Sequence, residues 1–482
     1  MNKLSNVINL LLKKLWVVGC GLWVMGCAVQ NKPVSNASVQ PPSTYDSTVS
    51  KENMAEWKWK DVFKDQHLIN LIDSALVKNP DLGILLQEIE MQRAGVLRAK
   101  GNMAPTVNAA LIPSIRRFGL YTMDGAGNIS TDILPGKIVP INLPDQYIGL
   151  QSSWEVDLWG KLKNRKRAAL ARLLASVEGR NLAATQLVAE IASAYCALIA
   201  TDQQIKMIDE MRLIQQRSYT IVERQKEAGL TNELAVSQVK AQLRDLEAMR
   251  LVAVAEQIDL EGRISKLTGS FGGKIKRDSI LPVLFDVDDL KVGAPIDLLV
   301  NRPDIKQSEL ALQAAKADVG AARAAFKPSL NITASFGYQA FRPSLWFNTP
   351  QSIAYAFVGG LTAPLLNRAN LKSELNVANA AQQQKWLGYQ RDVLNAFNEV
   401  SVQVRQSKTL SQKVDLLEEQ VKGMNQMTGI AEDLFISGRA TYLEVLFAQQ
   451  AVINARSNLI EATKEQYINS IDLYRALGGG WR

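Results

Sequence analysis

The distribution of proline constrains the fold of this chain more than any other feature of its sequence. All sixteen prolines lie at or before Pro364, and two long stretches, 145–281 and 365–482, contain none. Proline disrupts helices because it lacks an amide hydrogen and clashes with the preceding turn, so these stretches favour long helices. Each stretch has a glycine, Gly229 or Gly438, in a position typical of a helix end. The pattern predicts two hairpins, each with an outgoing helix, a tip and a returning helix.

The outgoing arms of these hairpins, 158–227 and 369–436, hold about 70 residues each, which corresponds to about 100 Å of helix. After each tip, a fresh helix start is expected, at Thr231 and at Thr441. On the first arm, an apolar seam is interrupted by the polar Asp202. The second arm carries a heptad seam, typical of coiled-coil packing, formed by Leu410, Val414, Leu417, Val421, Met424, Thr428, Ala431 and Phe435.

The two hairpins belong to an internal duplication. Pro80-Asp81-Leu82 is followed 25 residues later by Pro105, and Pro303-Asp304-Ile305 is followed 25 residues later by Pro328. Leu267-Thr268-Gly269 ends the first copy as Leu477-Gly478-Gly479 ends the second. Such similar spacing predicts two structural repeats, over 57–270 and 301–482, joined by an equatorial linker over 271–300.

Between its short helix and its hairpin, each repeat has two segments in which apolar residues alternate with small or polar ones. In one of them Leu330, Ile332, Ala334, Phe336 and Tyr338 alternate with Ser329, Asn331, Thr333, Ser335 and Gly337. Such alternation fits a transmembrane barrel and equally a soluble, half-buried sheet. Aromatic residues near the strand ends favour a membrane interface: Tyr147, Trp159, Tyr338, Phe341, Trp346 and Phe347. Strands are expected at about 104–118, 146–157, 328–342 and 351–364.

Four strands cannot close a barrel, because single-chain membrane barrels begin at about eight strands. An open sheet in lipid would leave unpaired backbone groups at its edges. If the strands span a membrane, the chain must therefore oligomerise, and three copies give about twelve strands. On that assumption the predicted fold class is an α+β membrane protein: a trimeric 12-strand β-barrel with four strands per protomer, continued by a long α-helical coiled-coil barrel, with an internal two-fold repeat.

The N-terminus has the features of a bacterial export signal. A short region with three lysines and no acid precedes an apolar run over 15–26, which is too short to cross a bilayer. The run ends in Gly26-Cys27, which resembles a lipobox; Gly19-Cys20 also fits but leaves a shorter apolar run. We expect a lipoprotein signal peptide over 1–26, a diacylglycerol thioether and an N-acyl chain on Cys27, and a lipidated flexible tether over 27–56.

The composition excludes several classes of protein. The only histidine is His67 and the cysteines are Cys20, Cys27 and Cys196, so no histidine-rich or cysteine-rich metal site is expected. The formal charge of +8 falls to +5 without the three lysines of the signal, which is too little for a nucleic-acid-binding surface. No acid–base pair or phosphate loop can be singled out, so we expect no enzyme, and no cofactor other than the covalent lipid. His67 is expected at the surface or in a helix cap, and Cys196 as a buried, inert thiol.

Several motifs together resemble the TolC superfamily of outer-membrane efflux lipoproteins, the channel type that serves resistance–nodulation–division pumps. The resemblance covers essentially the whole mature chain. Its most specific parts are the tryptophan-centred segment 153–161 and the stretch from Arg302-Pro303-Asp304-Ile305 to Phe326-Lys327-Pro328-Ser329. The other parts are Cys27-Ala28-Val29, Trp57-Lys58-Trp59, 71–76, Asn79-Pro80-Asp81-Leu82 and 476–481.

The resemblance implies a passive exit duct for efflux. It implies a lipid-anchored homotrimer with a barrel in the outer-membrane lipid of a Gram-negative cell, a helical tunnel in the periplasm, and an equatorial collar that includes about 57–100 and 270–320. It also implies that a periplasmic adaptor (membrane fusion) protein and an inner-membrane transporter of the resistance–nodulation–division type dock at the helical tips. The tips in this sequence are Gly229, Leu230, Gly438 and Arg439.

Proteins of this family close their periplasmic end by bringing the hairpin tips together, often with acidic rings. Glu444 lies where one family pattern has an aspartate, while Phe447 and Ala440 depart from positions that are often acidic or charged. A ring of Glu444 carboxylates above an apolar ring of Phe447 would give a cation-selective constriction. The alternative is a solvated Glu444 and a Phe447 that packs between helices. Arg439 and Glu233 are candidates for salt bridges between hairpins, although exposed pairs contribute little.

Two other functions agree with parts of the sequence. A periplasmic adaptor or coiled-coil scaffold would also be lipidated and rich in hairpins. An outer-membrane channel for type I protein secretion would share the whole architecture. Because an adaptor typically has a single hairpin between small β-domains, the two hairpins and four membrane-length strands favour the duct.

Overall fold

The structure of the chain is a computed structural model that describes residues 42, 44, 45, 53–278, 291–366 and 368–482. The predicted signal peptide, Cys27 and most of the tether lie outside the described residues. The described α-helices are α1 (Trp59–Val62), α2 (Gln66–Lys78), α3 (Pro80–Gly101), α4 (Met123–Ser130), α5 (Lys161–Glu227), α6 (Glu233–Leu267), α7 (Leu298–Asn301), α8 (Pro303–Ala324), α9 (Ala369–Ile436) and α10 (Tyr442–Ala476).

The long strands form one antiparallel sheet in the order β1-β4-β5-β6, so that β1 and β6 are its edges. Between β1 and β4 lie α4 and the small hairpin β2–β3, which the sequence pattern did not indicate. Each long strand ends within four residues of the bounds expected for it. The strands are β1 (Thr106–Arg117), β2 (Asp132–Leu134), β3 (Lys137–Ile138), β4 (Asn142–Val156), β5 (Ser329–Ala340) and β6 (Ile353–Thr362).

Residues that face each other across the four long strands form rows of alternating character. One row consists of Leu111, Ile148, Tyr338 and Ile353, and the next consists of Ala110, Gly149, Gly337 and Ala354. Successive rows point to opposite faces of a sheet. The sheet therefore has one apolar face and one face of small or polar residues, as the period-two alternation predicted.

Each of the two longest helices is accompanied by shorter ones. The helices α5 and α9 hold 67 and 68 residues, about 100 Å each, whereas the returning helices α6 and α10 hold 35 residues each. The 22-residue helices α3 and α8 pack along α5, and α8 also packs along α9. The returning helices are too short to cover the whole length of α5 and α9. The short helices α3 and α8 thus pack against parts of the long helices that the returning helices do not cover.

The two seams predicted on the long helices are confirmed as contact surfaces. All eight seam residues of α9 are half-buried, and on α5 the seam residues from Val188 to Leu198 are buried. Asp202, the polar interruption, accepts hydrogen bonds from Arg277 Nη2 at 2.9 Å and from Gln257 Nε2 at 2.7 Å. Arg277 also donates to Glu261 at 2.7 Å, so the polar position fastens the chain that follows α6 onto the first hairpin.

A large apolar core lies where α1 and α2 pack against the middle of α5 and the end of α10. Ile72, Tyr195 and Tyr474 are almost completely buried in it. The Tyr195 hydroxyl donates to Asp65 at 2.6 Å, and the Asp65 carboxylate also caps α2 by accepting the N–H of His67 at 2.7 Å. Burial, with the Asp65 bond, raises the pKa of Tyr195. Segments expected to form the equatorial collar contribute to this core.

The expectations for Cys196 and His67 are confirmed. Cys196 is a free, buried thiol on α5, and burial raises its pKa to about 12. His67 lies in the first turn of α2 with a partly exposed side chain, and its Nε2 is 3.9 Å from an Asp278 carboxylate oxygen. Among the described helices, α5 alone contains a window long and apolar enough to cross a membrane, and 67% of that window is buried in the fold.

The duplication appears as one repeated contact. Asn79 and Arg302 each precede the proline that begins a short helix, α3 or α8. Asn79 Nδ2 donates to the Leu267 carbonyl at 2.9 Å, and Arg302 Nη1 donates to the Ala476 carbonyl at 2.6 Å. Each contact therefore ties the start of a short helix to the end of the returning helix in the same repeat.

Two glycines complete this contact. Gly269 and Gly478 follow the returning helices with φ of 67° and 97°, in the left-handed region. A Cβ on Gly269 would lie 2.5 Å from the Lys78 carbonyl oxygen, and one on Gly478 would lie 2.7 Å from the Asn301 carbonyl oxygen. The structure thus makes Gly269 equivalent to Gly478. The sequence alignment, which matched Leu267 with Leu477, made Gly269 equivalent to Gly479 and was therefore shifted by one residue.

Candidate functional site

The first hairpin tip is a tight turn between α5 and α6. The N–H groups of Gly229 and Leu230 donate to carbonyls in the last turn of α5 at 2.9 and 2.8 Å, which satisfies groups that a helix end leaves open. Gly229 has a φ of 75°. Asn232 then caps α6 by accepting the N–H of Ala235 at 3.3 Å. The sequence suggested that α6 starts at Thr231, but the capping residue is Asn232.

The second tip repeats this turn between α9 and α10. The N–H groups of Gly438 and Arg439 donate to carbonyls in the last turn of α9 at 3.0 and 2.8 Å, and Gly438 has a φ of 71°. In both tips the returning helix begins four residues after the glycine, at Glu233 and at Tyr442. Thr441 is the N-cap residue of α10, as predicted.

The two tips differ in the pair of side chains that closes the turn. In the first tip Lys226 forms an ion pair with Glu233, which lowers the pKa of Glu233. The equivalent positions in the second tip, counted from its glycine, are Phe435 and Tyr442, whose ring centroids are 5.7 Å apart. Within the described chain, Glu233 thus pairs within its own hairpin and not with Arg439, and a salt bridge of either residue to another copy stays a prediction. One tip is closed by charge and the other by apolar packing.

The tips also pack against each other. The Gln215 Nε2 of α5 donates to the Tyr442 hydroxyl of α10 at 2.7 Å, and both residues are at most 5% exposed. Burial raises the pKa of Tyr442 to about 12, against the effect of the Gln215 bond. Around this bond lies an apolar cluster that contains Val222, Ala235, Val236, Val239 and Val445, with Phe435 and Leu446 partly buried beside it.

The candidate aperture residues lie at or just beyond the second tip. Glu444 Oε2 accepts the Thr441 N–H at 2.6 Å and the Thr441 hydroxyl at 3.0 Å, and the N–H bond is the main cause of its lowered pKa. The structure thus gives Glu444 a capping role, and an acidic ring formed with other copies stays a prediction. Phe447 is 67% exposed and Leu230 is 78% exposed, so both are free to contact another chain.

The sheet is the second candidate site, because its apolar face is uncovered. Within the described chain, no helix packs across that face. A soluble, half-buried sheet would have such a cover, whereas an exposed apolar surface of this extent is typical of a membrane or protein interface. The side chains that are more than half exposed include Leu111, Leu150, Phe336, Tyr355, Phe357 and Leu361.

The free edges of the sheet are suited to pairing between copies. Every neighbouring pair of long strands is antiparallel, so β1 and β6 also run antiparallel to each other. The β6 edge of one copy can therefore extend onto the β1 edge of the next, and repetition around an axis closes a barrel. At opposite ends of the sheet, the indole N–H groups of Trp159 and Trp346 donate to the carbonyls of Pro328 and Gln146 at 2.7 and 3.0 Å.

Sequence reasoning missed three tip residues: Lys226, Gln215 and Tyr442. Gln215 offered a signal, since it continues the buried stripe of Met207 and Met211 with a polar side chain. A polar residue in such a stripe needs a buried partner. In the part of the chain that the structure describes, no group of three or more histidine, cysteine, aspartate or glutamate side chains is placed to hold a metal ion.

Comparisons with known proteins agree with this geometry. The model of the family "Outer membrane efflux protein" matches residues 71–270 and 294–479. The cation efflux system protein CusC of Escherichia coli O6:H1 is 27% identical over 431 residues, which cover 89% of this chain and 90% of CusC. The probable outer membrane lipoprotein SilC of Salmonella typhimurium is 28% identical over 428 residues and 88% of each chain. A crystal structure of a membrane protein from Pseudomonas aeruginosa, 26% identical, superposes with a TM-score of 0.82 over 92% of this chain and 98% of that one.

Proposed function

Because the chain belongs to the outer membrane efflux protein family, we propose that three copies of it form a continuous duct from the periplasm to the cell exterior. As a family member, the chain is an outer-membrane component of an efflux system. The duct is passive, and an inner-membrane transporter supplies the energy through a periplasmic adaptor protein.

The observation that carries this proposal is the sheet with an uncovered apolar face and two free antiparallel edges. Lipid can cover the apolar face, but the bilayer does not tolerate open edges. Pairing of β6 with β1 between copies removes every edge. Three copies of the four-stranded sheet give about twelve strands, which lies within the known sizes of membrane barrels.

The helical part supports the same proposal. The sheet faces lipid with its apolar rows, so its rows of small and polar residues line the lumen. The helices α5 and α9 continue from the strand ends for about 100 Å. Two such helices from each of three copies would enclose a tunnel of that length in the periplasm.

A lipid on Cys27 is part of the proposal. The relative SilC is described as a probable outer membrane lipoprotein. Two or more acyl chains give stable anchoring, since each buried methylene contributes about 0.8 kcal/mol. We expect Cys27→Ala to abolish labelling by radioactive palmitate, while trimers still form because the barrel itself holds the membrane. A Cys27→Ala protein that stays soluble and monomeric in the periplasm would contradict this view.

The hairpin tips are the proposed docking surface for the adaptor. Leu230 and Phe447 expose apolar side chains there, next to the turns formed by Gly229, Gly438 and Arg439. Exposed apolar groups on otherwise polar helices are suited to helix–helix contacts with another hairpin protein.

The testing experiment is electron microscopy of the protein extracted from outer membranes in detergent, followed by conductance measurements in planar lipid bilayers. We expect end views with three-fold symmetry and a stain-filled centre, side views longer than about 100 Å, and discrete single-channel steps. A slender monomer without a lumen, or a bilayer without channels, would refute the duct.

A further inference from the structure

A belt of basic side chains surrounds one end of the sheet. Four segments connect the long strands to the helices: 98–105, 157–168, 323–328 and 363–373. Together they contain eleven lysines and arginines but a single acid, Asp157. The basic belt consists of Arg98, Lys100, Lys161, Lys163, Arg165, Lys166, Arg167, Arg323, Lys327, Arg368 and Lys372.

The strand register brings these four segments together. Thr106 of β1 faces Ser153 of β4, and Val156 at the end of β4 faces Leu330 near the start of β5. Ser329 of β5 faces Thr362 at the end of β6. All four helix-side strand ends therefore lie at the same end of the sheet, and the basic belt follows that end.

The positive charge of the belt is largely uncompensated. The Asp157 carboxylate is occupied by the backbone N–H groups of Leu162 and Lys163, at 3.1 and 2.8 Å. Lys161 pairs with Glu155 of β4 at 2.8 Å. The side chains of Lys163, Arg165 and Arg167 are exposed, and none of the three forms an ion pair with another described residue. Arg165 is near the Asp318 carboxylate, but that carboxylate forms its ion pair with Arg172.

Five of the belt residues lie where positive charge is unfavourable unless an anion compensates it. Lys161, Lys163, Arg165, Lys166 and Arg167 all lie in the first two turns of α5. The helix dipole makes positive charge at a helix N-terminus destabilising, and like charges within a few residues repel each other. An external anionic partner would relieve both effects.

Side chains typical of a membrane interface lie beside the belt. Trp159 and Leu158 are about half exposed, and Leu365 and Leu366 are 79% and 88% exposed. Lys327 Nζ lies 4.6 Å from the centroid of the Trp159 ring. Tryptophan with basic residues next to apolar ones is the usual composition at the level of lipid headgroups.

The opposite end of the sheet carries far less net positive charge. Its connecting segments, 118–141 and 341–352, contain two basic residues, Lys137 and Arg342, and two acids, Asp124 and Asp132. The strand ends beside them add Arg116 and Arg117 of β1 and the acid Asp145 of β4. The asymmetry distinguishes the leaflet on the helical side from the outer one. Basic residues needed only for solubility would not be concentrated at one end.

We propose that the basic belt binds the headgroups of anionic phospholipids in the periplasmic leaflet of the outer membrane. The inference rests on the proposed insertion of the sheet as a barrel. The anionic phosphates compensate the charge on α5, while Trp159 and the exposed leucines contact the start of the acyl chains. The belt thereby fixes the depth of the barrel at the junction with the helices.

The test is native mass spectrometry of the purified trimer, titrated with phosphatidylglycerol or with phosphatidylcholine. The belt variant combines Lys163→Gln, Arg165→Gln and Arg167→Gln. The control variant combines Arg217→Gln, Lys408→Gln and Lys422→Gln, which removes the same charge from exposed positions on α5 and α9. Arg217 lies about 75 Å along α5 from the belt.

We expect the unmodified protein and the control to bind phosphatidylglycerol in preference to phosphatidylcholine. The belt variant should lose about tenfold or more of that preference, since each basic side chain near an anionic surface contributes separately. Equal binding of both lipids by the unmodified protein, or equal loss in both variants, would overturn the inference. Belt-dependent sedimentation with peptidoglycan, without a lipid preference, would also overturn it in favour of a cell-wall contact.

Conductance measured on the same preparations separates this inference from the proposed function. If the unmodified protein forms channels but shows no lipid preference, the belt inference fails and the duct stands. If it forms no channels, the proposed duct fails and the belt loses its premise.

Discussion

Gln215 and Tyr442, which are 227 residues apart in the chain, form a buried hydrogen bond of 2.7 Å between the two hairpins near their tips. It joins the outgoing helix of the first repeat to the start of the returning helix of the second. Because the tips are the proposed end of the duct, the strength of this bond bears on how readily that end opens.

We expect Tyr442→Phe to loosen the two tips. The change leaves the buried Gln215 amide without its acceptor, and an unsatisfied buried group costs about 1–3 kcal/mol. Hydrogen exchange should become faster in the last turns of α5 and the first turns of α10, and the mean channel conductance should rise. The matched control is Tyr219→Phe, because the Tyr219 hydroxyl binds Glu223 within the same helix at 2.6 Å. Equal exchange in the two variants would show that the bond between hairpins is unimportant.

Packing around the Tyr442 hydroxyl should depend on alkaline pH, because burial disfavours the phenolate whereas the Gln215 bond favours it. Burial raises the pKa of Tyr442 to about 12 from an ordinary value of 10.0. A raised pKa of this kind stabilises the closed tip fully below pH 10, and the stabilisation is lost as the pH rises through about 12. The difference in absorbance at 295 nm between the unmodified protein and Tyr442→Phe reports this titration. A difference curve centred near pH 10 would contradict a buried phenol.

Glu444→Gln and Glu444→Ala separate the capping role of this carboxylate from its charge. Gln retains an oxygen that can accept the Thr441 N–H, whereas Ala removes it. We expect faster hydrogen exchange at the start of α10 in Glu444→Ala only. If an acidic ring forms between copies, both variants should lower cation selectivity and raise conductance in bilayers. Unchanged ion selectivity in both variants would show that Glu444 caps α10 but forms no acidic ring.

The pH dependence of this cap has the opposite sign to that of Tyr442. The pKa of Glu444 is lowered from 4.5, first by the Thr441 N–H and then by its hydroxyl. The cap therefore stabilises the tip fully above pH 4.5 and is lost as the pH falls through the lower, folded-state pKa. Protection from exchange at the start of α10, taken relative to the intrinsic exchange rate at each pH, should fall below pH 4.5 in the unmodified protein but not in Glu444→Ala.

Arg302 connects three parts of the second repeat. It binds Asp304 at 2.7 Å, Glu399 of α9 at 2.8 Å and the Ala476 carbonyl at 2.6 Å, while Arg475 binds the other Glu399 oxygen at 2.7 Å. Removing one partner from a buried ionic network typically costs about 3–5 kcal/mol. We expect Arg302→Ala to lower clearly the temperature at which trimers dissociate in detergent.

The matched control for Arg302 is Asn79→Ala in the first repeat. Asn79 makes the corresponding contact but is uncharged, so its loss should cost about 1–2 kcal/mol, as for other helix caps. An equal fall in dissociation temperature for both variants would mean that the charge network adds nothing to the contact.

The sequence predicted the long elements well because their signals are repetitive. The absence of proline, the heptad seam and the period-two strands each depend on many residues, so single exceptions such as Asp202 did not obscure them. The tips were harder. The turn itself followed from Gly229 and Gly438, but the cap at Asn232 was misplaced by one residue because Thr231 is an equally good capping residue type.

Contacts between the repeats could not be read from local patterns. Gln215 and Tyr442 meet only because two hairpins pack side by side, and no spacing within either hairpin specifies that. Glu233 was a candidate for a salt bridge between hairpins because its charge is visible in the sequence, whereas Lys226, its partner within the described chain, is a neighbour only through the turn geometry. Phe435 and Tyr442 replace this ion pair at the equivalent positions of the second tip, and they too are neighbours only through the turn geometry.

A pair of glycine substitutions tests the repeated contact that closes each repeat. Gly229 and Gly269 have similar φ values of 75° and 67°, so alanine at either position carries a comparable backbone cost of about 1–2 kcal/mol. A Cβ on Gly229 meets nothing within 4 Å, but one on Gly269 would lie 2.5 Å from the Lys78 carbonyl oxygen. Gly269→Ala must therefore also displace the junction of α2 and α3 from the end of α6. We expect it to lower the dissociation temperature of the trimer well beyond the effect of Gly229→Ala, and equal effects would show that the close approach at Gly269 is not a constraint on the fold.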